Sequence, residues 1–129
     1  LVIFSLFSAF SALSEESQRE KWSCRNDLEI NCSSEKCLVT PKHEMSTMTV
    51  ELDGDGNFSV CAYTGCWYGN SEAKKAGPFI IWSAKKVKWV TPTNDLLPVN
   101  IAIVLDKTDK TAIVKAGGWS HPYKCKSVS

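Results

Sequence analysis

An all-β fold is the class this sequence predicts: a small antiparallel meander, curled into a half-barrel or a sandwich and stapled by disulfides. Three observations lead to it. No long window spaces its apolar residues at the helical period, turn signals recur about every eight to twelve positions, and six cysteines stand in a chain of 129 residues. At that length one hydrophobic core is the ceiling. Fifteen basic against fourteen acidic residues leave a net charge of +1, which supplies no bulk field for steering nucleic acid or anionic membranes to the chain.

In chain order, residues 1–13 (LVIFSLFSAFSAL) are uncharged and shorter than the about 20 apolar residues of a membrane-spanning helix. They have the character of a secretory signal that is incomplete at its N-terminus. Residues 1–14 are therefore expected to be removed before Glu15, with cleavage after Ser11 as a second option. Residues 15–21 read as a flexible polar leader and 22–129 as the folded domain, without a transmembrane segment in the mature chain. Export to the periplasm or the outside of the cell follows.

Trp22 and Cys24 open the first strand, and residues 25–31 make a polar link into the loop bounded by Cys32 and Cys37. Residues 38–40 are too short to classify, and Pro41 ends them. Residues 47–52 alternate, with Met48, Val50 and Leu52 on one side and Thr47, Thr49 and Glu51 on the other, the pattern of a half-buried strand. Asp53-Gly-Asp-Gly-Asn57 is turn chemistry, and Phe58, Val60 and Ala62 then line one face of the returning strand. After the polar loop of residues 70–77, Phe79-Ile-Ile-Trp82 is a short apolar strand and residues 85–90 an edge-like one, whose Lys85, Lys86 and Lys88 guard it against pairing with other chains. Pro92, Asn94, Asp95 and Pro98 mark the next connection. Residues 99–106 alternate again, with Ile101, Ile103 and Leu105 inward, and turn through residues 107–110 into a partner strand, 111–116, that Gly117-Gly118 breaks. Residues 119–125 form a terminal segment in which His121, before Pro122, is expected at the surface.

An oxidising compartment turns cysteines into bridges. Six allow fifteen connectivities. The expected set joins Cys24 with Cys125 across the ends of the domain, Cys32 with Cys37, and Cys61 with Cys66. A zinc site built from the two Cys-x4-Cys pairs competes with disulfides and loses to them in that compartment. Asp53, Asp55 and Asn57 imitate the opening of a calcium loop, but Phe58 and Thr64 occupy its sixth and twelfth positions, where Gly and Glu are required. No metal or cofactor is expected.

His43 and His121 are the candidate acid-base residues, without a Gly-x-Ser-x-Gly elbow, a His-Glu-x-x-His pair or a phosphate-cradling glycine loop around them. The aromatic side chains carry more. Trp67, Tyr68, Trp89 and Trp119 are the candidate contact residues, because planar side chains left exposed on a rigid sheet stack on sugar rings or anchor a protein partner. Asn31-Cys-Ser33 and Asn57-Phe-Ser59 fit the N-glycan acceptor pattern.

The order Trp22-x-Cys24, Cys32, Cys37, Val50-x-Leu52-Asp53, Cys61, Gly65-Cys66, Tyr68, Gly77-x-Phe79, Ala112-x-Val114 and a closing Cys125 resembles small uncharacterised cysteine-rich secreted or periplasmic proteins of bacteria. The likeness covers nearly all of the mature chain. It implies a disulfide-linked β domain outside the cytoplasm and carries over no catalytic residue. In size and class the chain is also similar to periplasmic lysozyme inhibitors, without their Ser-Gly-x-x-Tyr motif. The expected function is a non-catalytic secreted or periplasmic binding module for an envelope glycan or a protein partner. Inhibition of a secreted hydrolase, a lysozyme or a protease, is the alternative.

Overall fold

The computed structural model describes residues 20–91 and 97–128. The expected signal segment, most of the leader, and Pro92, Asn94 and Asp95 lie outside them. The described residues form an all-β, curled antiparallel half-barrel. Its strands are β1 (Lys21–Asn26), β2 (Ile30–Cys32), β3 (Cys37–Val39), β4 (Thr49–Asp53), β5 (Asn57–Ala62), β6 (Gly65–Asn70), β7 (Lys74–Ala76), β8 (Phe79–Val87), β9 (Trp89–Val90), β10 (Val99–Asp106), β11 (Thr111–Ala116) and β12 (Trp119–Ser127). About seven strands are expected from the turn spacing; the additional ones include four pieces of two or three residues (β2, β3, β7 and β9) that carry too little pattern to be seen in the sequence.

The sheet runs β7-β8-β10-β11-β12-β1-β4-β5-β6-β9. Both expected hairpins form, β4 with β5 and β10 with β11, and their alternation sends Met48, Val50, Leu52, Phe58 and Val60 into the core from one side. Ile101, Ile103, Leu105, Ala112, Val114 and Ala116 enter it from the other. Asp53 sets the first turn: its Oδ1 accepts the amide N–H of Asp55 and of Asn57, at 3.0 and 2.9 Å. Trp82 crosses the interior and donates its indole N–H to the Asp53 carbonyl at 3.1 Å, which ties β8 to the opposite wall.

Three stretches differ from expectation. Lys21, placed in the leader, opens β1, and Glu20 before it is already tied in through an ion pair with Lys107 and a carbonyl that accepts the Gly54 N–H. Residues 79–87 form one strand rather than two, and its lysine end is a bulge. The register against β10 shifts between Val99 and Ile101, Lys86 adopts φ +54 and its N–H bonds Asn100 Oδ1 at 3.1 Å. The extra residue bends the chain, so that past Lys88 it leaves β10 and pairs with β6 as β9. The two edges of the half-barrel meet through that change of partner. Finally, residues 119–127 are a full strand with His121 buried inside it. Pro122 is accommodated because it lies just past Tyr123, the last residue that β1 pairs; a strand tolerates Pro where no neighbour requires its missing N–H.

The first and last strands of the barrel wall lie side by side, and Cys24 bridges Cys125 directly across them. Beyond β1 the chain breaks for three residues and resumes as β2 along the same strand, β12, at Asn31 opposite Trp119. Buried Asn26 holds the break: its Nδ2 donates to the carbonyls of Leu28 and Ser46, at 3.2 and 3.1 Å, and its Oδ1 accepts the Met48 N–H at 2.7 Å. The β2–β3 hairpin is thereby carried past the rim as a wing, with the Cys32–Cys37 bridge near its tip. The third bridge, Cys61–Cys66, staples the β5–β6 turn. All three pairings are those expected from the sequence.

Candidate functional site: an aromatic mouth

Three of the four candidate contact residues come together. Trp67 on β6 pairs with Trp89 on β9 across the seam, and their rings meet edge to face at 4.6 Å between centroids. Trp119, at the start of β12, reaches across the interior to Trp67 at 5.1 Å and to Trp89 at 6.2 Å. Tyr68 does not join them. As the next residue on an alternating strand it points outward, 61% exposed, beside Lys21, Glu51 and Val128 on the outer surface.

The expected exposure is also corrected. Trp67 and Trp89 are only 6% and 3% exposed, and the interplanar angles of 69° to 89° make a box of perpendicular rings rather than a flat stacking platform. The cause is the seam itself. A strand that must change partner at the barrel edge brings two inward-facing indoles into register, and edge-to-face contact is the arrangement their quadrupoles favour. Gly65 makes room for it, since a Cβ there would lie 2.6 Å from the Trp89 indole nitrogen.

A cavity of about 310 Å³ opens over this cluster, walled by Trp67, Trp89, Trp119 and Val99 and rimmed by Thr64 and the Gly117-Gly118 turn. Gly117, at φ +58, is the first residue of a two-residue hairpin turn, the position that Gly fills most readily. With no side chain on either turn residue, the approach to Trp119 is left open. Around this end stand the stapled β5–β6 turn, where Tyr63 is fully exposed, and the wing, whose Leu38 and Val39 face solvent on β3. Val90 and Leu97 are exposed as well.

Behind the box lies a residue that the sequence places wrongly. His121 is 1% exposed, stacked on Trp119 at 17° and 5.6 Å and followed inward by Tyr123 at 6.2 Å. Neither of its ring nitrogens has a hydrogen-bond partner, and the same is true of Trp67 Nε1. The three buried side-chain nitrogens without a partner among the described residues thus gather in and behind the mouth. The signal that could have found His121 is the period-two spacing of Trp119, His121, Tyr123 and Cys125, which Pro122 disguises as a turn. His43 is a solvated residue whose Nε2 lies 3.6 Å from Glu44 Oε1. No group of three or more His, Cys, Asp or Glu side chains among the described residues could hold a metal ion.

Burial lowers the His121 pKa, and the nearby Glu29 charge opposes that shift only in part. The imidazole is therefore harder to protonate in the folded state than at its ordinary value of 6.5, whereas the unfolded chain gains a proton as pH falls through that value. Stability from this residue is complete above about pH 6.5 and declines, by at most about 1.4 kcal/mol per unit, as pH drops toward the lowered native value. Urea midpoints measured at about pH 7.5 and about pH 5 are expected to fall for the wild type and to fall less for His121→Phe, which keeps a ring under Trp119 and cannot charge. Equal pH dependence in the two proteins would contradict the assignment.

No protein-family model matches the chain, and neither a curated protein nor a solved structure is significantly similar to it.

Proposed function

We propose that this protein is a non-catalytic binding module of the periplasm or the cell exterior, which engages a protein partner through the end of the half-barrel that carries the aromatic mouth. The observation that carries the proposal is the convergence on that end of Tyr63, Leu38, Val39 and the tryptophan box with both local disulfides. Apolar and aromatic side chains on backbone that cannot rearrange give contact area at small entropic cost. The three disulfides support the compartment, because such bridges persist where the surroundings oxidise thiols. Of the two partner classes considered, a glycan is the less supported, since stacking on a sugar face wants an exposed flat ring and the box presents perpendicular ones.

Inhibition of a secreted hydrolase is the second reading, favoured by the two stapled turns that flank the mouth. A rigid protrusion fitted to a cleft is the usual geometry of a tight inhibitor.

The test uses exposed residues, so that the fold is kept. Wild-type protein immobilised on resin is offered a solubilised envelope fraction, in parallel with peptidoglycan and soluble glycans. Tyr63→Ala and the pair Leu38→Glu and Val39→Lys should each reduce retention of the partner by about tenfold or more, as loss of an anchor residue does, while leaving the melting temperature within a few degrees. Retention that survives protease treatment of the fraction, or that is indifferent to both variants, would refute a protein partner at this end.

A further inference from the structure

Two acceptor patterns for an N-linked glycan stand in the chain, Asn31-Cys-Ser33 and Asn57-Phe-Ser59, and the fold treats them unequally. Transferases of the bacterial type ask in addition for an acidic residue two places before the asparagine. Glu29 and Asp55 occupy those places, although acids make up only 14 of the 129 residues. Asn57 opens β5 at the foot of the β5–β6 hairpin, opposite Asn70 and away from the stapled turn at the mouth. It is exposed, and its amide is held in one orientation. Nδ2 donates to Asp53 Oδ2 at 3.1 Å, while Oδ1 accepts from Asn70 Nδ2. An asparagine amide has two N–H donors. Asp53 uses one of them and a sugar replaces the other, so the folded turn and a glycan are compatible at this position.

Asn31 is placed differently. It is half-buried on β2, paired with Leu38 of β3 on one side and Trp119 of β12 on the other. Its Oδ1 lies 3.9 Å from where a Cβ on Gly118 would stand, so a glycan carried there would press on the glycine turn and cover the mouth. The Cys32–Cys37 bridge, which spans 5 residues, also bends the acceptor segment, whereas a transferase reads an extended one.

We propose that Asn57 carries an N-linked glycan, added during export by an oligosaccharyltransferase of the bacterial type, and that Asn31 stays bare. The donor is an oligosaccharide linked to a lipid diphosphate. Asn57 Nδ2 attacks its anomeric carbon, the bond from that carbon to the diphosphate oxygen breaks, the diphosphate departs with the electron pair, and one amide proton passes to a base of the transferase. Ser59 supplies the hydroxyl recognised two places on. In the folded chain Ser59 is paired between Glu51 and Tyr68, so residues 55–59 are read before the hairpins close. After folding, the glycan projects from the foot of the β5–β6 hairpin and leaves the partner-binding end free.

The experiment is mass spectrometry of the mature protein purified from the cells that make it, intact and after reduction and trypsin. Cleavage after Arg25, Lys36, Lys42 and Lys74 puts Asn31 in the peptide of residues 26–36 and Asn57 in that of residues 43–74. One oligosaccharide increment is expected, on the second peptide. Asn57→Gln and Ser59→Ala, expressed in the same cells, should abolish it, and Asp55→Ala should lower its occupancy by about tenfold or more. Ser59→Ala keeps the asparagine and should melt within a few degrees of the wild type, which separates loss of the acceptor motif from loss of the fold. Asn31→Gln should leave the increment unchanged. An unmodified wild type, an increment on residues 26–36, or one that survives Ser59→Ala or Asp55→Ala would each overturn the proposal. The protein-partner reading shares only the export with this one and is decided separately, by the retention experiment on Tyr63, Leu38 and Val39.

Discussion

Replacing both Cys24 and Cys125 with alanine is expected to lower stability by about 4.7 kcal/mol, and the melting temperature by roughly 20 °C. The magnitude comes from the loop that the bridge closes. Its cysteines are 101 residues apart, so in the chain-entropy account the unfolded ensemble regains far more freedom than when a bridge spanning 5 residues is opened, for which the same account gives about 2 kcal/mol. Position adds to length. The bridge joins β1 to β12, the strands that bring the two ends of the chain together in the barrel wall, and both its cysteines belong to or pack on the buried core. A small domain has only about 5–15 kcal/mol in hand, so the double variant should be partly unfolded at body temperature, whereas Cys32→Ala with Cys37→Ala should stay folded and lose the order of the wing. Thermal melts of the two double variants, run beside the wild type, decide it. If the wing variant melted lower than the seam variant, the seam would not be the main constraint.

How far the fold could be read in advance depended on where the deciding interactions lie in the chain. The β4–β5 and β10–β11 hairpins were legible because turn residues and period-two alternation sit within a dozen positions of one another, and the sheet then honours both. The bridges were legible because small spacings and chain ends leave few sensible pairings. Asn26 was not: its three side-chain bonds run to Leu28, Ser46 and Met48, and no local pattern reports that a strand will break and resume along the same neighbour. The site was half legible. Trp67, Trp89 and Trp119 could be nominated as aromatic residues in excess, yet their meeting depends on the bulge at Lys86 and on β9 crossing to β6, events of tertiary structure. The same crossing buries two of the three, which is why a platform was expected and a box is found. Tyr68 was nominated on the same ground as the tryptophans, as a planar side chain in excess, and alternation sends it to the opposite face of the sheet.

Trp67→Ala should be the most damaging single change at the mouth, and it is expected to act on stability before it acts on binding. The indole is 6% exposed and touches both other members of the box. Removing it deletes two edge-to-face contacts, worth about 0.5–1.5 kcal/mol each beyond area, within a total cost of about 3–5 kcal/mol for truncating a buried aromatic residue. Trp67→Phe should behave differently. It keeps a ring for Trp89 and Trp119 and removes the unpartnered Nε1–H, whose burial is itself costly by about 1–3 kcal/mol, so the smaller ring and the relieved polar atom offset one another and the net loss should stay below about 1.5 kcal/mol. Guanidinium unfolding curves with unchanged slope and shifted midpoint separate the two variants. A Trp67→Phe protein as unstable as Trp67→Ala would mean that the nitrogen is paired after all. The consequence for function is direct: the residues that would grip a ligand also fill the top of the core, so a loss of binding in Trp67→Ala or Trp89→Ala would follow from a collapsed mouth whether or not either ring touches the ligand, and only exposed positions such as Thr64 and Tyr63 can be altered to ask what this end of the barrel binds.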